Sequence, residues 1–138
     1  MPFIRTGKNL NEVPEEAAVP EGEYDLRVVN VESTRTKAND RDMVALAIRV
    51  EDSAFPAAKL VRHYAVLPNE NDFEEDDGRM AALFLRGLKR LLAVFEVEFG
   101  EEGFETEDLD GATGRCFLNV REYNGEDQNE LRLPRLRE

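Results

Sequence analysis

Aromatic and arginine side chains share one parity on two segments of the chain that are predicted to be strands. Arg62 and Tyr64 stand in alternate positions of one segment, and Phe117, Arg121 and Tyr123 do so in another. Residues of one parity lie on one face of a strand. Rings on such a face can stack on exposed bases while guanidinium groups contact phosphates, a combination that holds nucleic-acid single strands without reading their sequence. We therefore predict a stacking platform on these two strands.

Further cations extend the predicted platform. Arg49 and Arg132 stand away from the apolar rows of their own segments, and a polar loop between the first two strands carries three more cations. Loops of this kind flank the ligand cleft of small β-barrels that bind oligonucleotides. The complete predicted DNA-binding set is Arg35, Lys37, Arg41, Arg49, Arg62, Tyr64, Phe117, Arg121, Tyr123 and Arg132.

Each member of this set also has an ordinary structural interpretation. Phe117 could pack beneath a helix, Tyr64 could be a core residue at the rim, and a single arginine on a strand is commonly just solvated. Tyr24 lies on the apolar side of the first strand and is predicted to be core. The excess of arginine over lysine, fourteen against four, suits stacking and phosphate contacts but also fits a GC-rich genome.

Residue types that support catalysis or metal binding are scarce. His63 is the only histidine and Cys116 the only cysteine, and both lie on predicted strands where a buried structural role is expected. The acidic run 72–77 lacks the glycine and the spacing of an EF-hand loop, and the sequence contains no glycine-rich phosphate loop. We therefore predict no enzymatic activity, no cofactor and no metal site.

The net charge of −12 is concentrated in two stretches. Residues 70–77 hold six acids and residues 96–110 hold eight, with no base in either. Outside them, sixteen acids stand against eighteen bases, which leaves room for a weakly basic face. A single cysteine excludes an intrachain disulfide, and an intracellular, cytoplasmic protein is expected.

Hydrophobic periodicity predicts five strands and one helix in the order β-β-β-α-β-β. The first strand begins at Gly22, and its apolar phase shifts after Val28, which predicts a bulge or bend there. Apolar residues recurring every three to four positions predict an amphipathic helix from Met80 to Phe95, capped by Asp76 or Asp77. The other predicted elements are strands at 43–50, 60–67, 116–120 and 131–133, a polar loop at 33–42, an acidic loop at 69–77, a helical turn within 106–111 and a hairpin turn at 124–125.

This order of elements is typical of the OB-fold, a mainly β, five-stranded Greek-key barrel. The sequence predicts one such domain over residues 20–138, preceded by an irregular arm at residues 1–19. A bent first strand fits this fold, because it must serve two sides of the barrel.

Several segments together resemble a family of phage-encoded single-stranded-DNA-binding proteins. They are Pro20-Glu-Gly-Glu-Tyr24, the Thr34-Arg-Thr-Lys37 loop, the strand 43–50, the leucine-rich helix, Leu109-Asp-Gly111, and Arg121-Glu-Tyr-Asn-Gly125 before Asn129. Their order and spacing carry the resemblance, which spans about residues 18–135. The resemblance implies an OB-fold and a role in phage DNA replication or recombination. The C-terminal Leu131-Arg-Leu-Pro-Arg-Leu-Arg-Glu138 departs from the acidic tail of many such proteins.

The expected function is thus sequence-independent binding of single-stranded DNA. The partners expected besides DNA are phage or host replication and recombination proteins, and self-association into a homo-oligomer is left open. The alternative is an acidic protein-interaction module, in which the acidic stretches mimic DNA or dock on a basic partner.

Overall fold

One antiparallel sheet of five strands dominates the structure, a computed structural model that describes residues 2–36, 41–101 and 103–134. The strands follow the order β3-β2-β1-β4-β5, so β1 is central. The mainly β architecture and the placement of the long helix between β3 and β4 confirm the sequence-based prediction. The strands are β1 (Gly22–Arg35), β2 (Asp42–Val50), β3 (Val61–Val66), β4 (Thr113–Tyr123) and β5 (Glu126–Arg132).

The long first strand serves two neighbours. Its first half pairs with β4, where Leu26 lies opposite Gly114, and most of its length pairs with β2. The register with β2 shifts between Val28 and Asn30, which leaves Val29 as an extra residue. The predicted bulge near Val28 is confirmed, and it bends β1 where its apolar side chains change faces.

The core lies against one face of this sheet. Leu26, Val28, Ile48 and Leu118 are fully buried there, together with Leu91 from the long helix. Tyr24 is also buried, as predicted, and its hydroxyl donates a hydrogen bond of 2.6 Å to the carbonyl of Pro20.

The N-terminal arm is fastened to the sheet by its last residues. The N–H of Ala17 donates to the carbonyl of Ala57, and the N–H of Lys59 donates to the carbonyl of Ala17, both at 3.0 Å. Val19 is buried in the core, and its backbone exchanges two hydrogen bonds with the buried side chain of Asn129, at 2.8 and 2.9 Å. The arm therefore crosses from the β2–β3 connection to β5. The two edge strands, β3 and β5, contact each other in the same region.

The acidic segment predicted as a loop at 69–77 is partly helical, so that prediction is wrong. It contains a short helix, α1 (Glu70–Glu74), which begins in a capping box where the side chains of Asn69 and Asp72 each accept the other residue's backbone N–H. The prediction of Asp76 or Asp77 as the cap of the long helix is also wrong. Both residues have positive φ, and the residue that precedes the long helix is Gly78, in a left-handed conformation.

The long helix, α2 (Arg79–Val94), confirms the amphipathic prediction. Its C-terminal half buries Leu91 and Leu92, and Phe95 directly after it is also buried. The end of α2 lies so close to β4 that a Cβ atom on Gly114 would collide with the carbonyl oxygen of Val94. Glycine at this position therefore lets the helix end on the sheet.

The β4–β5 hairpin fixes the register of the last two strands. Asn124 and Gly125 have φ of 53° and 81°, as a two-residue turn of the primed type requires, and this confirms the predicted turn. Three predicted strands have bounds that are wrong by more than one residue. β1 continues to Arg35 into the predicted polar loop, and β4 extends beyond 116–120 at both ends. β5 begins at Glu126 instead of centring on Leu131 and Leu133. The predicted helical turn within 106–111 is present at Thr106–Asp108.

Across the described residues, α2 and the shorter helices all fall short of the length and apolar character that a membrane span requires.

Candidate nucleic-acid interface

A groove of about 750 Å³ runs between β3 and the β4–β5 hairpin. Four residues of the predicted set line it: Arg62 and Tyr64 from β3, and Arg121 and Tyr123 from β4. The two rings are open to solvent, with Tyr64 56% exposed and Tyr123 60% exposed. The structure thus brings together, from distant parts of the chain, two rings and two guanidinium groups that the sequence predicted to share a surface.

Strand parity explains why these side chains point outward. On β3, Val61 and Ala65 are buried, so Arg62 and Tyr64 between them face away from the core. On β4, Cys116 and Leu118 are buried, so the alternate positions face outward. The two-residue turn then sets Tyr123 opposite Glu126 and Arg121 opposite Gln128. The groove is therefore a consequence of alternation on two strands and of one tight turn.

The groove has a slight excess of positive charge. Lys59, Arg62 and Arg121 line it, against the carboxylates of Glu16 and Glu130. Arg121 lies 3.7 Å from Glu130, and both side chains are largely exposed. Exposed ion pairs of this kind contribute little to stability, so a phosphate can replace the carboxylate at low cost.

Phe117 and Arg132 form a second outward-facing pair on the same hairpin. They are opposite each other in the β4–β5 ladder, and the Arg132 guanidinium lies 5.6 Å from the centre of the Phe117 ring. Phe117 is thus partly exposed on the outer side of the sheet. This pair lies outside the groove lining but on the same strand parity as Arg121 and Tyr123.

The cations of the β1–β2 loop have different surroundings. Arg41 donates two hydrogen bonds of 2.7 Å to the carboxylate of Asp72, and its guanidinium lies 5.3 Å from the centre of the Phe84 ring. Its charge therefore fastens the loop to α1 and α2. Arg35 is mostly exposed and lies 3.6 Å from Asp42. Lys37 lies outside the described residues.

Arg49 is placed away from the groove. Its guanidinium donates to the carboxylate of Glu51 at 2.8 Å, and Arg27 donates to the same oxygen. The hydrogen bond from Arg49 and, to a lesser extent, that from Arg27 lower the pKa of Glu51. The structure therefore does not bring Arg49 together with the groove residues.

Several groove residues were not predicted. Leu60 has the parity of Arg62 and Tyr64, so alternation continued by one step would have found it. The register that follows from the Asn124-Gly125 turn would have placed Gln128 beside Arg121. No sequence signal reveals Glu16, which reaches the groove because the arm is fastened beside it.

His63 and Cys116 lie on the inner side of the sheet. Burial lowers the pKa of His63 and raises the pKa of the Cys116 thiol, so both side chains are neutral near pH 7. Within the described ranges, histidine, cysteine and carboxylate side chains form no group of three or more able to hold a metal ion.

Comparison with known proteins assigns the chain to a family. The model of the family described as "Protein of unknown function (DUF669)" matches residues 8–85, and the chain belongs to this family. The match covers the arm from residue 8 onward, β1 to β3, α1 and the first part of α2. A search of the curated proteins found no match.

Proposed function

We propose that this member of the DUF669 family is an OB-fold protein that binds single-stranded DNA without sequence preference, in phage DNA replication or recombination in the host cytoplasm. One observation carries the proposal: two open tyrosine rings and two arginines line a single groove between β3 and β4. Rings of this kind accept the face of any base, and each stacked base contributes about 1–3 kcal/mol.

The topology supports the OB-fold part of the proposal. In this fold the first strand pairs with the second and the fourth, and the oligonucleotide lies across the strands next to the first and last loops. Here β1 pairs with β2 and β4, the edge strands β3 and β5 contact each other, and the groove lies at that contact. Closure of the sheet into a barrel along β3 and β5 is part of what we propose.

Charge placement supports the choice of ligand. No described residue of the acidic stretches 70–77 and 96–110 lines the groove. A phosphate chain in the groove would meet Lys59, Arg62 and Arg121 and few carboxylates. Stacking needs unpaired bases, so a single strand suits these rings and a duplex does not.

Fluorescence anisotropy with labelled oligonucleotides tests the proposal. We expect saturable binding of single-stranded DNA at low salt, similar affinity for different base compositions, and weaker binding of the same sequence as a duplex. The logarithm of the binding constant should fall with the logarithm of salt concentration, with a modest slope because few cations are available.

A matched pair of variants locates the site. Arg121→Ala should weaken binding and reduce the salt slope by about one, because one phosphate contact is lost. Arg115→Ala is the control, because Arg115 faces Glu23 and Asp25 at 2.9 Å, outside the groove. Equal affinity for duplex and single strand, or equal loss in both variants, would refute the proposal.

A further inference from the structure

Helix α2 presents an apolar stripe that the other described residues leave exposed. Met80 is 44% exposed and Leu83 is 56% exposed, and with Gly87 they stand at i, i+3 and i+7 on one side of the helix. The buried side of α2 is formed by other residues, chiefly Ala81, Leu91 and Leu92. The stripe therefore contributes nothing to the core although its residue types are those of an interface.

Packing among the described residues does not explain why position 87 of this stripe is a glycine. Glycine inside a helix destabilises the helix relative to alanine. A Cβ atom built on Gly87 meets no described atom within 4 Å, so packing within the chain has room for a side chain. A glycine in such a place lowers the helix surface and lets a second molecule approach the backbone closely.

The charge of α2 indicates which kind of surface is complementary to the stripe. The helix carries four basic residues and no acidic one, in a chain of net charge −12. Arg79, Arg86 and Arg90 lie beside the stripe by helical spacing. Two copies of α2 packed against each other would bring these cations together, so the complementary surface is acidic with an apolar centre.

The chain itself contains such a surface after α2. Phe99 is 49% exposed and stands between the exposed carboxylates of Glu98 and Glu101. Glu105 and Asp108 line the same shallow depression, of about 840 Å³. We call residues 98–101 with 103–108 the acidic Phe99 loop.

The acidic Phe99 loop does not cover the stripe of its own chain, whose Met80 and Leu83 are exposed. Val97 before the loop and Leu109 after it are buried, and the N–H of Val97 donates to the carbonyl of Leu92 at 2.9 Å. The loop is thus held at the C-terminal end of α2. Met80 lies near the N-terminal end, about 20 Å away at 1.5 Å per residue.

We propose that the acidic Phe99 loop of one copy docks on the Met80–Leu83–Gly87 stripe of a second copy, so that the protein associates head to tail. Phe99 would cover Gly87, and the loop carboxylates would face Arg79, Arg86 and Arg90. Because the two surfaces differ and lie at opposite ends of α2, each added copy leaves one of each surface free. The contact depends on charge and apolar burial and does not require DNA.

Sedimentation velocity of the full chain at increasing concentration tests the contact. We expect the weight-average sedimentation coefficient to rise with concentration at low salt and to rise less at high salt. Leu83→Glu and Phe99→Ser should each lower the association constant at least about tenfold, because an apolar anchor is lost. Leu85→Glu is the matched control, because Leu85 is exposed but lies about 200° around the helix from Leu83.

Mixing the two defective variants distinguishes head-to-tail contact from a symmetric one. Leu83→Glu keeps its loop and Phe99→Ser keeps its stripe, so an equimolar mixture should form a dimer that grows no further. A symmetric contact would leave the mixture as weakly associated as either variant alone. Gly87→Gln should raise the melting temperature while it reduces association, which separates docking from folding. A monomer at all concentrations, or association unchanged in both variants, would overturn the proposal.

Discussion

Tyr64 and Tyr123 come from two strands and expose more than half of their surface in one groove. A hydroxylated ring that is needed for packing would be buried, as Tyr24 is. We therefore expect Tyr64→Leu and Tyr123→Leu each to weaken single-strand binding by about 1–3 kcal/mol and to leave the melting temperature nearly unchanged. Anisotropy titrations and thermal melts of the same samples measure the two effects.

Phe73→Leu is the control for this pair, because Phe73 is similarly exposed but lies on α1, outside the groove. Its affinity should match the unmodified protein. If the tyrosine variants lose thermal stability while affinity per folded molecule stays constant, those rings serve packing and the assignment of the outward face is wrong.

The Arg41–Asp72 pair has a consequence for pH. The hydrogen bonds from Arg41 are the main cause that lowers the pKa of Asp72 from 3.8 to about 2. A carboxyl with a lowered pKa in the folded state stabilises the fold while it is ionised. This contribution is complete above about pH 4 and is lost as pH falls toward the folded-state value.

Asp72→Asn should therefore melt at a lower temperature than the unmodified protein at pH 6. The gap should narrow between about pH 4 and pH 2, since the unmodified carboxyl becomes protonated there. Asp76→Asn provides a comparison, because Asp76 is exposed and lies 3.6 Å from Arg79 on the surface. A gap that stays constant down to the lowest pH would mean that the ion pair is not its cause.

At the scale of elements, Asn129 joins the arm to β5. It is buried, and its side chain satisfies both backbone groups of Val19. Asn129→Ala leaves a buried N–H and a buried carbonyl without this partner, at about 1–3 kcal/mol for each unsatisfied group. We expect urea denaturation to show a loss of stability in this range or above it.

Gln128→Ala is the neighbouring control. Gln128 is exposed, so its removal should change the unfolding free energy by no more than about 0.5 kcal/mol. Limited proteolysis of Asn129→Ala should also cleave the arm near Val19 faster than in the control. Equal stability of the two variants would show that the arm is held by other contacts.

Elements with a strong local signal could be predicted from the sequence. The sixteen-residue helix α2 repeats its apolar spacing over four turns, the phase shift after Val28 marks the bulge, and Asn124-Gly125 specifies the hairpin. Helix α1 was missed because four of its five residues are acidic or polar, and the single apolar residue, Phe73, makes no period. Its signal was the capping pair of Asn69 and Asp72, three residues apart.

The candidate site likewise contains residues that a local pattern predicts and residues that it does not. Alternation predicted Arg62, Tyr64, Arg121 and Tyr123, because parity alone decides which face of a strand a side chain takes. The position of the Arg41 side chain depends on Asp72, thirty-one positions away, and no local sequence pattern predicts such a contact. Asn129 looks like an ordinary polar residue of a short strand until the arm is placed beside it.

At the scale of the whole molecule, we expect the acidic stretches to affect which nucleic acid can approach the proposed site. The screening length is about 8 Å at physiological ionic strength and longer at low salt, so we expect carboxylates outside the groove to repel DNA at low salt. A duplex has a higher charge density and is repelled more strongly. Changing Glu74, Glu75, Asp76 and Asp77 to amides should therefore raise duplex affinity more than single-strand affinity in anisotropy titrations.

This difference should shrink as salt is added, because screening removes the repulsion. Unchanged affinities at every salt concentration would show that these residues serve solubility alone. A loss of single-strand binding would assign them a direct role in binding.

The central position of β1 also affects the order in which the sheet can form during synthesis. During synthesis, β1 can pair with β2 as soon as both strands have emerged from the ribosome. The other edge of β1 can pair only after β4, which begins at Thr113, has been synthesised. Until then, residues 22–27 are an unpaired strand edge that another nascent chain could join. Glu23 and Asp25 lie on this edge, and like charges oppose such pairing between copies. Arg115 arrives with β4 and lies 2.9 Å from both carboxylates, so the charges that oppose pairing between copies become cross-strand ion pairs once β4 has paired with β1.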